Sequence, residues 1–215
     1  MSDNPTIQPI DDGPLMVHPA PSLRDADGTA LEATERVALC RCGASSNKPF
    51  CDGSHRASGF TSANDEGEIR NTPQSYSGTV GGASVTVWYT PVLCSHAGEC
   101  QRLASAVFDP KREPWVQPQG AEIGPLLKAL SACPSGALRL GVEGDVTQAQ
   151  HLTDGDVEIR IERHGPYHVR NVRLDAEFNG AGASRTKYVL CRCGHSRNKP
   201  FCDGTHYDLK WRDDG

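Results

Sequence analysis

The sequence predicts an α+β protein in which two small strand-rich units flank an inserted α+β segment. Three observations lead there. A sixteen-residue string near one end, CRCGASSNKPFCDGSH (Cys40 to His55), recurs near the other as CRCGHSRNKPFCDGTH (Cys191 to His206). The likeness extends outward: Gly13-Pro14 matches Gly165-Pro166 and Phe60 matches Trp211, so each repeat is a unit of about fifty residues. The segment between the copies has strand and helix patterns of its own. The expected domains are 10–63, 75–141 and 156–213.

Within the repeats, residues 15–18 and 167–172 are short, apolar-leaning runs rich in Val, Tyr and His, as strands are. Residues 36–39 and 187–190 run straight into the first cysteine of each motif. Gly and Asp cluster at 25–28, and Asn and Gly at 179–182, as turns require. In the insert, residues 75–80 and 83–90 read as a hairpin around Gly81-Gly82. Cys100, Leu103, Ala104 and Val107 follow helical spacing up to Asp109-Pro110. Ile123, Leu126, Leu127 and Leu130 do the same up to Cys133-Pro134. Residues 62–73 and 141–155 are polar and Gly-containing, and are expected to be linkers.

Bulk properties narrow the function. The apolar share is 37% and the aromatic share 6%, low for one well-filled globule, with 22 Gly and 15 Pro. A chain so rich in loops needs staples, and metals serve as well as disulfides. The net charge is −5, with no Lys/Arg-rich run, so nucleic acid is an unexpected partner. No apolar stretch approaches a membrane span, and the opening MSDNPTIQPIDDG lacks signal-peptide character. The expected compartment is cytoplasmic, where clustered thiols point to metal before disulfide. The nine cysteines fall into three triplets with none left over: Cys40, Cys42, Cys51; Cys94, Cys100, Cys133; Cys191, Cys193, Cys202.

Residues two apart on an extended chain point the same way, so Cys40 and Cys42 can reach one metal ion together. Residues four apart on a helical turn share a face, so Cys51 and His55 can reach a second. Asp52 is placed to cap that turn, and Gly43 and Pro49 suit a loop wrapped around a compact object. Cys191, Cys193, Cys202 and His206 repeat the set. Two ligands on each of two metals describe a 2Fe–2S cluster held by three thiolates and one imidazole. A single Cys3His zinc is the alternative, although zinc sites more often separate paired cysteines by two to four residues.

The string resembles the signature of the CDGSH iron–sulfur (NEET) family, C-x-C-x2-[S/T]-x3-P-x-C-D-G-[S/A/T]-H. Both copies match every specified position, including Ser45, Pro49, Ser196 and Pro200. The resemblance implies that Cys40 and Cys42 bind the inner iron of a 2Fe–2S cluster and Cys51 and His55 the outer one. It implies the same for Cys191 and Cys193, and for Cys202 and His206. It also implies a pseudo-two-fold pairing of the two units, here within one monomeric chain in preference to a homodimer. A whole domain between the repeats is a departure from the family pattern.

In the insert, Cys94, His96 and Cys100 read C-x-H-x3-C, and Cys133-Pro134 follows a helix. Bacterial ferredoxins use C-x2-C-x2-C with a distant C-P. Cys94, Cys100 and Cys133 suffice for a 3Fe–4S cluster, or for 4Fe–4S with His96 as candidate fourth ligand. Three unrelated buried cysteines are the bland alternative. The strings HAGEC, VFDP and CPSGAL resemble divergent single-cluster ferredoxins over about residues 85–140.

His18, His151, His164, His168 and His195 lie outside the ligand spacings and are expected at surfaces or turns. Lys48 and Lys199 either offset cluster charge or are solvated, and Trp88 and Trp115 are expected to pack. The expected function is one-electron transfer by a non-enzyme with two 2Fe–2S clusters and one 3Fe–4S or 4Fe–4S cluster, working with redox partner proteins or cluster acceptors. The alternatives are cluster storage, donation or sensing, because a protonated imidazole competes with metal, and a zinc adaptor. Catalysis at an open iron finds no substrate-positioning motif.

Overall fold

A computed structural model of the chain describes residues 4–64, 69–153, 155–178 and 180–214. In chain order the elements are β1 (Thr6–Pro9), β2 (Leu15–His18), β3 (Ser22–Arg24), β4 (Val37–Leu39), β5 (Gln74–Val80), β6 (Ala83–Tyr89), α1 (Glu99–Leu103), α2 (Ile123–Ala132), β7 (Leu138–Val142), β8 (Asp145–Gln150), β9 (Glu158–Ile161), β10 (Tyr167–Arg170), β11 (Arg173–Leu174), β12 (Lys187–Leu190) and α3 (Thr205–Asp208). The chain forms two compact units. One comprises Met1–Ile69, Gly155–Asn179 and Arg185–Gly215; the other comprises Arg70–Asp154 and Gly180–Ser184.

Both repeats lie in the first unit, which holds two four-stranded sheets, ordered β11-β1-β2-β4 and β12-β10-β9-β3. Matching β1 to β9, β2 to β10, β3 to β11 and β4 to β12 makes the two orders identical. Each repeat contributes three antiparallel strands to its own sheet and one short strand to the other. Thr6 and Ile7 pair in parallel with Arg173 and Leu174, and Ser22 to Arg24 pair with Glu158 to Arg160. Alternate residues bury one face of each sheet, Leu15 and Val17 on β2 and Tyr167 and Val169 on β10. Residues of both repeats form a single core, with Ile7, Leu15, Ile159 and Leu190 fully buried.

Two contacts tie the motifs together. Tyr167 stands where the first repeat has Leu15 and is completely buried. Its hydroxyl donates to the carbonyls of Cys40 (2.6 Å) and Pro49 (3.0 Å), so the second repeat fixes the first motif's loop. Gly43 and Gly194 sit at φ 78° and 86°, a region open chiefly to glycine. A Cβ on Gly43 would stand 2.5 Å from the Cys193 carbonyl oxygen, and one on Gly194 2.6 Å from that of Cys42. The two Cys-x-Cys loops therefore abut backbone to backbone.

The second unit is an antiparallel sheet ordered β5-β6-β7-β8 with α1 and α2 packed on each other. Gly81 and Gly82, both at positive φ, turn β5 into β6 with Val80 opposite Ala83, as expected. Two expectations need correction. Residues 141–155 are not a linker. Their first half belongs to β7 and β8, joined through Gly144 at φ 78°. The sequence hid this strand because β8 is polar and half-exposed, so it lacks the apolar alternation that marks strands. The first insert helix is one short turn and stops at Leu103. Ala104 leaves helical geometry at φ −146°, and Val107 and Phe108 are buried outside any helix. Trp115 does pack, against Tyr89, Tyr76 and Phe108, with the Tyr89 ring centroid at 4.9 Å. Residues 65–68 of the expected linker 62–73, Asp154 and the expected turn residue Asn179 lie outside the described residues.

If the motif loops abut as described, Gly43→Ala and Gly194→Ala each lower stability by about 2–4 kcal/mol. The midpoint of chemical denaturation measures this, and a change under about 0.5 kcal/mol for both would show the contact to be unimportant.

Candidate metal centres

Each motif begins where a strand ends. β4 delivers Cys40, whose N–H donates to the Pro49 carbonyl at 2.8 Å, and Cys51 N–H donates to Ala38 on the same strand at 2.9 Å. The loop from Cys40 to Cys51 is thus closed at its base. Inside it the Ser45 hydroxyl donates to the Phe50 carbonyl and accepts from Asn47 N–H. The second copy repeats every bond: Cys191 to Pro200, Cys202 to Val189, Ser196 to Phe201, Asn198 to Ser196. Lys48 donates to the Ser45 carbonyl and Lys199 to that of Ala63, so both ammonium groups are bound to backbone.

The donor atoms meet in pairs. Cys40 Sγ and Cys42 Sγ are 3.6 Å apart, Cys191 and Cys193 Sγ 3.8 Å. Cys51 Sγ lies 3.4 Å from His55 Nδ1, and Cys202 Sγ 3.3 Å from His206 Nδ1. Two thiolates on one tetrahedral metal at about 2.3 Å would be about 3.8 Å apart, and a thiolate and imidazole slightly closer. Each pair therefore fits one metal ion. Among the described residues, the only three candidate ligand groups that come within 4.8 Å of one another are His164, Asp213 and Asp214. No three donors of either motif gather around one point, as a lone Cys3His zinc would need. The spacing suits two metals side by side.

Cys51 and His55 reach each other differently from the expectation. Cys51 precedes the helical turn, and Gly53 at φ 91° redirects the chain into the single turn Ser54–Arg56. Asp52 fastens that turn: Oδ1 accepts from Ser54 N–H, and Oδ2 from the N–H and hydroxyl of Ser46. These bonds hold its carboxyl below the usual range. Asp203 does the same for Thr205 and Arg197. Burial pushes its carboxyl up, but these hydrogen bonds outweigh burial and the net shift is down.

The thiols are uneven. Cys40 is drawn down to about 5, first by Cys42 and then by the N–H groups of Ser45, Gly43 and Cys42 itself, while Cys42 is pushed up by sharing that bond. Cys191 falls to about 7 and Cys193 rises for the same reason. Burial raises Cys202. A metal that binds here must displace these protons, so binding is linked to proton release. The N–H groups of Gly53 and Gly204 point at the sulfurs of Cys51 and Cys202, 3.4 Å away.

Sequence reasoning missed two residues. Arg41 and Arg192, between the paired cysteines, are only 4% and 2% exposed. Arg41 donates to the carbonyls of Gly13 (2.8 Å) and Ile10 (2.5 Å), and its guanidinium lies 5.5 Å from the Phe60 ring. Arg192 donates to Gly165 and Glu162 and lies 5.0 Å from the Trp211 ring. The signal was available, because the arginine is identical in both copies and its partners are the two outlying matches, Gly13 with Gly165 and Phe60 with Trp211.

In the insert, Cys94, Cys100 and Cys133 line one small pocket with His96, Tyr89 and Ser135. Cys94 follows the turn Pro91–Leu93, Cys100 sits in α1, and Cys133 ends α2. Burial raises the Cys94 thiol and pushes Cys100 up to about 12. His96, at φ 59°, is exposed at the pocket edge. Of the other histidines, His195 is exposed, His168 Nε2 meets Glu162 at 2.9 Å, and His164 Nδ1 meets Asp213 at 2.5 Å.

Residues 12–56 and 164–207 both match the family described as iron-binding zinc finger, CDGSH type. The chain belongs to the CDGSH family. Between its two CDGSH segments, residues 80–143 match a second family, described as a divergent 4Fe-4S mono-cluster. The CDGSH chain is therefore an iron–sulfur protein. It is 34% identical over 58 residues to the uncharacterized protein YjdI of Escherichia coli (strain K12), a span covering 27% of this chain and 76% of that protein. The same figures hold for YjdI of Escherichia coli O157:H7. No solved structure matches the chain. Among the described residues, no helix is long and apolar enough to cross a membrane.

The depressed carboxylate of Asp203 sets a pH dependence. Its contribution is present above the ordinary carboxylate value of 3.8 and is lost as pH falls through the lower folded value. Asp203→Asn is expected to cost about 1 kcal/mol near neutrality. The difference from wild type should shrink as denaturation is repeated toward pH 3. A difference that persists unchanged there would refute the role.

Proposed function

We propose that the chain is a one-electron carrier with three clusters. Cys40, Cys42, Cys51 and His55 would hold one 2Fe–2S cluster, and Cys191, Cys193, Cys202 and His206 another, in two units paired about a pseudo-two-fold axis. Cys94, Cys100 and Cys133 would hold a 3Fe–4S or 4Fe–4S cluster, with His96 of the same pocket as candidate fourth ligand of the latter. The observation that carries this reading is the separation of each motif's donors into two pairs, which suits a diiron core and not one zinc. Bound clusters supply the one-electron chemistry. The chain's residues hold them, direct N–H groups at the outer sulfurs and keep a buried arginine beside the inner ones. The partners would be redox proteins, met by a monomer in the cytoplasm.

Cluster donation is a second reading. It is supported by the partial exposure of Cys42, Cys51 and His55. Mixing the loaded protein with an apo-ferredoxin separates the two, since a carrier keeps its iron and a donor loses about two irons per chain.

The main test is an anaerobic preparation with metal and sulfide counted per chain. The expected result is a red-brown protein with about seven or eight irons and eight sulfides. Cys100→Ala should remove about three or four of those irons and leave the diiron spectrum intact. A colourless protein with zinc and no sulfide would overturn the proposal.

A further inference from the structure

The two motifs are nearly identical, but the residues around them are not. The turn ahead of the first motif carries Ile10 and Asp12, and the equivalent turn ahead of the second carries Glu162 and His164. The chain beyond the first motif carries Ser62 where the second has Asp213. The backbone bonds match at these positions. Ile10 N–H donates to Pro14 and Gly13 N–H to Ile10, as Glu162 does to Pro166 and Gly165 to Glu162.

The same latch is thus built with opposite chemistry. In the first repeat the Asp12 carboxylate accepts from Ser62 N–H and hydroxyl at 2.7 and 3.2 Å. That carboxylate is exposed and acts on Arg41, as Asp11 does, only through space. In the second repeat the carboxylate is on the tail. Asp213 Oδ1 accepts from His164 Nδ1, and Oδ2 forms an ion pair with Arg192. Asp213's side chain is 18% exposed and that of Arg192 2%, so this pair is shielded from screening. Arg41 forms no ion pair with a carboxylate among the described residues; its bonds go to two carbonyls. One buried arginine beside a pair of cysteines meets carboxylates only at a distance and from the exposed side, and the other is in direct contact with one.

A further difference acts in the same direction. Cys193, Cys202 and His206 are buried, at 3%, 2% and 8% exposure, whereas Cys42, Cys51 and His55 are partly exposed. Reducing a cluster adds one negative charge. A carboxylate paired with the adjacent arginine, and burial, each make that addition harder.

Resting on the diiron reading above, we propose that Asp213 holds the second motif's centre at a lower potential than the first. It acts as a positioning residue, through Arg192. An electron shared by the two centres leaves the second, whose iron goes from Fe2+ to Fe3+, and resides on the first, whose iron goes from Fe3+ to Fe2+. No proton moves. The first motif, whose outer ligands reach the surface, becomes the terminus for exchange with a partner.

The test is a dithionite redox titration of the full-length loaded protein at pH 8, where an ordinary histidine is neutral. His55→Cys and His206→Cys assign the steps, because replacing imidazole by thiolate lowers only the centre that carries it. Two separate diiron steps are expected, the lower belonging to the second motif. Asp213→Asn should raise that lower step by at least a tenfold change in the oxidised-to-reduced ratio, about 59 mV for one electron, and leave the upper step in place. Should that variant misfold, Ser62→Asp makes the reciprocal change and should lower the upper step. Coincident steps, a reversed order, or an Asp213→Asn or Ser62→Asp variant that moves neither step would overturn the inference while leaving the diiron reading standing. A colourless protein with no redox step would remove both.

Discussion

The exchange of one short strand between the repeats is the constraint on which the rest of the first unit depends. A piece of about fifty residues buries a small share of its surface and is marginal alone. β1 completes its own sheet and accepts β11 from the other repeat, and β9 accepts β3 in return. The exchange puts Ile7 and Ile159 into one core. It also brings Tyr167 beneath the first motif and sets Gly43 against Cys193. Remove the exchange and each Cys-x-Cys loop loses the surface it leans on. The motifs are therefore local in sequence but supported by long-range contacts.

Holding four donors ready has an electrostatic cost, and the fold spreads it. Thiols two residues apart share one hydrogen bond, which draws Cys40 down and, with burial, pushes Cys42 up. The carboxylates of Asp52 and Asp203 bind N–H groups of the loop and turn, leaving the sulfurs unencumbered. The arginine at the centre of each Cys-x-Cys is buried beside the sulfurs. Carbonyls and an aromatic face satisfy both, and Arg192 has the Asp213 carboxylate in addition.

What the sequence made legible was the part that repeats. The ligand pairs, the strands entering Cys40 and Cys191, the Gly81-Gly82 hairpin and the α2 stripe all follow from spacing and turn chemistry. The rest was obscured for physical reasons. β1, β3 and β11 are two to four residues long, and pairing with another repeat defines them more than any pattern of their own. β8 is a polar strand whose identity comes from its neighbour β7. Val107 continues the helical spacing of Cys100 and Leu103, yet tertiary packing beside Phe108 and Trp115 overrides that spacing at Ala104. The arginines were visible as letters, but their burial required knowing where Gly13, Phe60, Gly165 and Trp211 would fold.

The latch differences show how a duplicated unit can keep its geometry while its electrostatics diverge. The turn-to-tail bond needs one acceptor and one donor, and either side can supply either. Asp12 with Ser62 and His164 with Asp213 satisfy the same geometric demand. Geometry therefore does not choose between them, but the arginine does. A carboxylate on the turn, as at Asp12, forms no ion pair with Arg41, whereas one on the tail, as at Asp213, reaches Arg192. Swapping donor and acceptor leaves the backbone and every ligand unchanged, yet it moves a full negative charge beside one motif. Such a change alters charge without altering shape, and it leaves no trace in the motif itself.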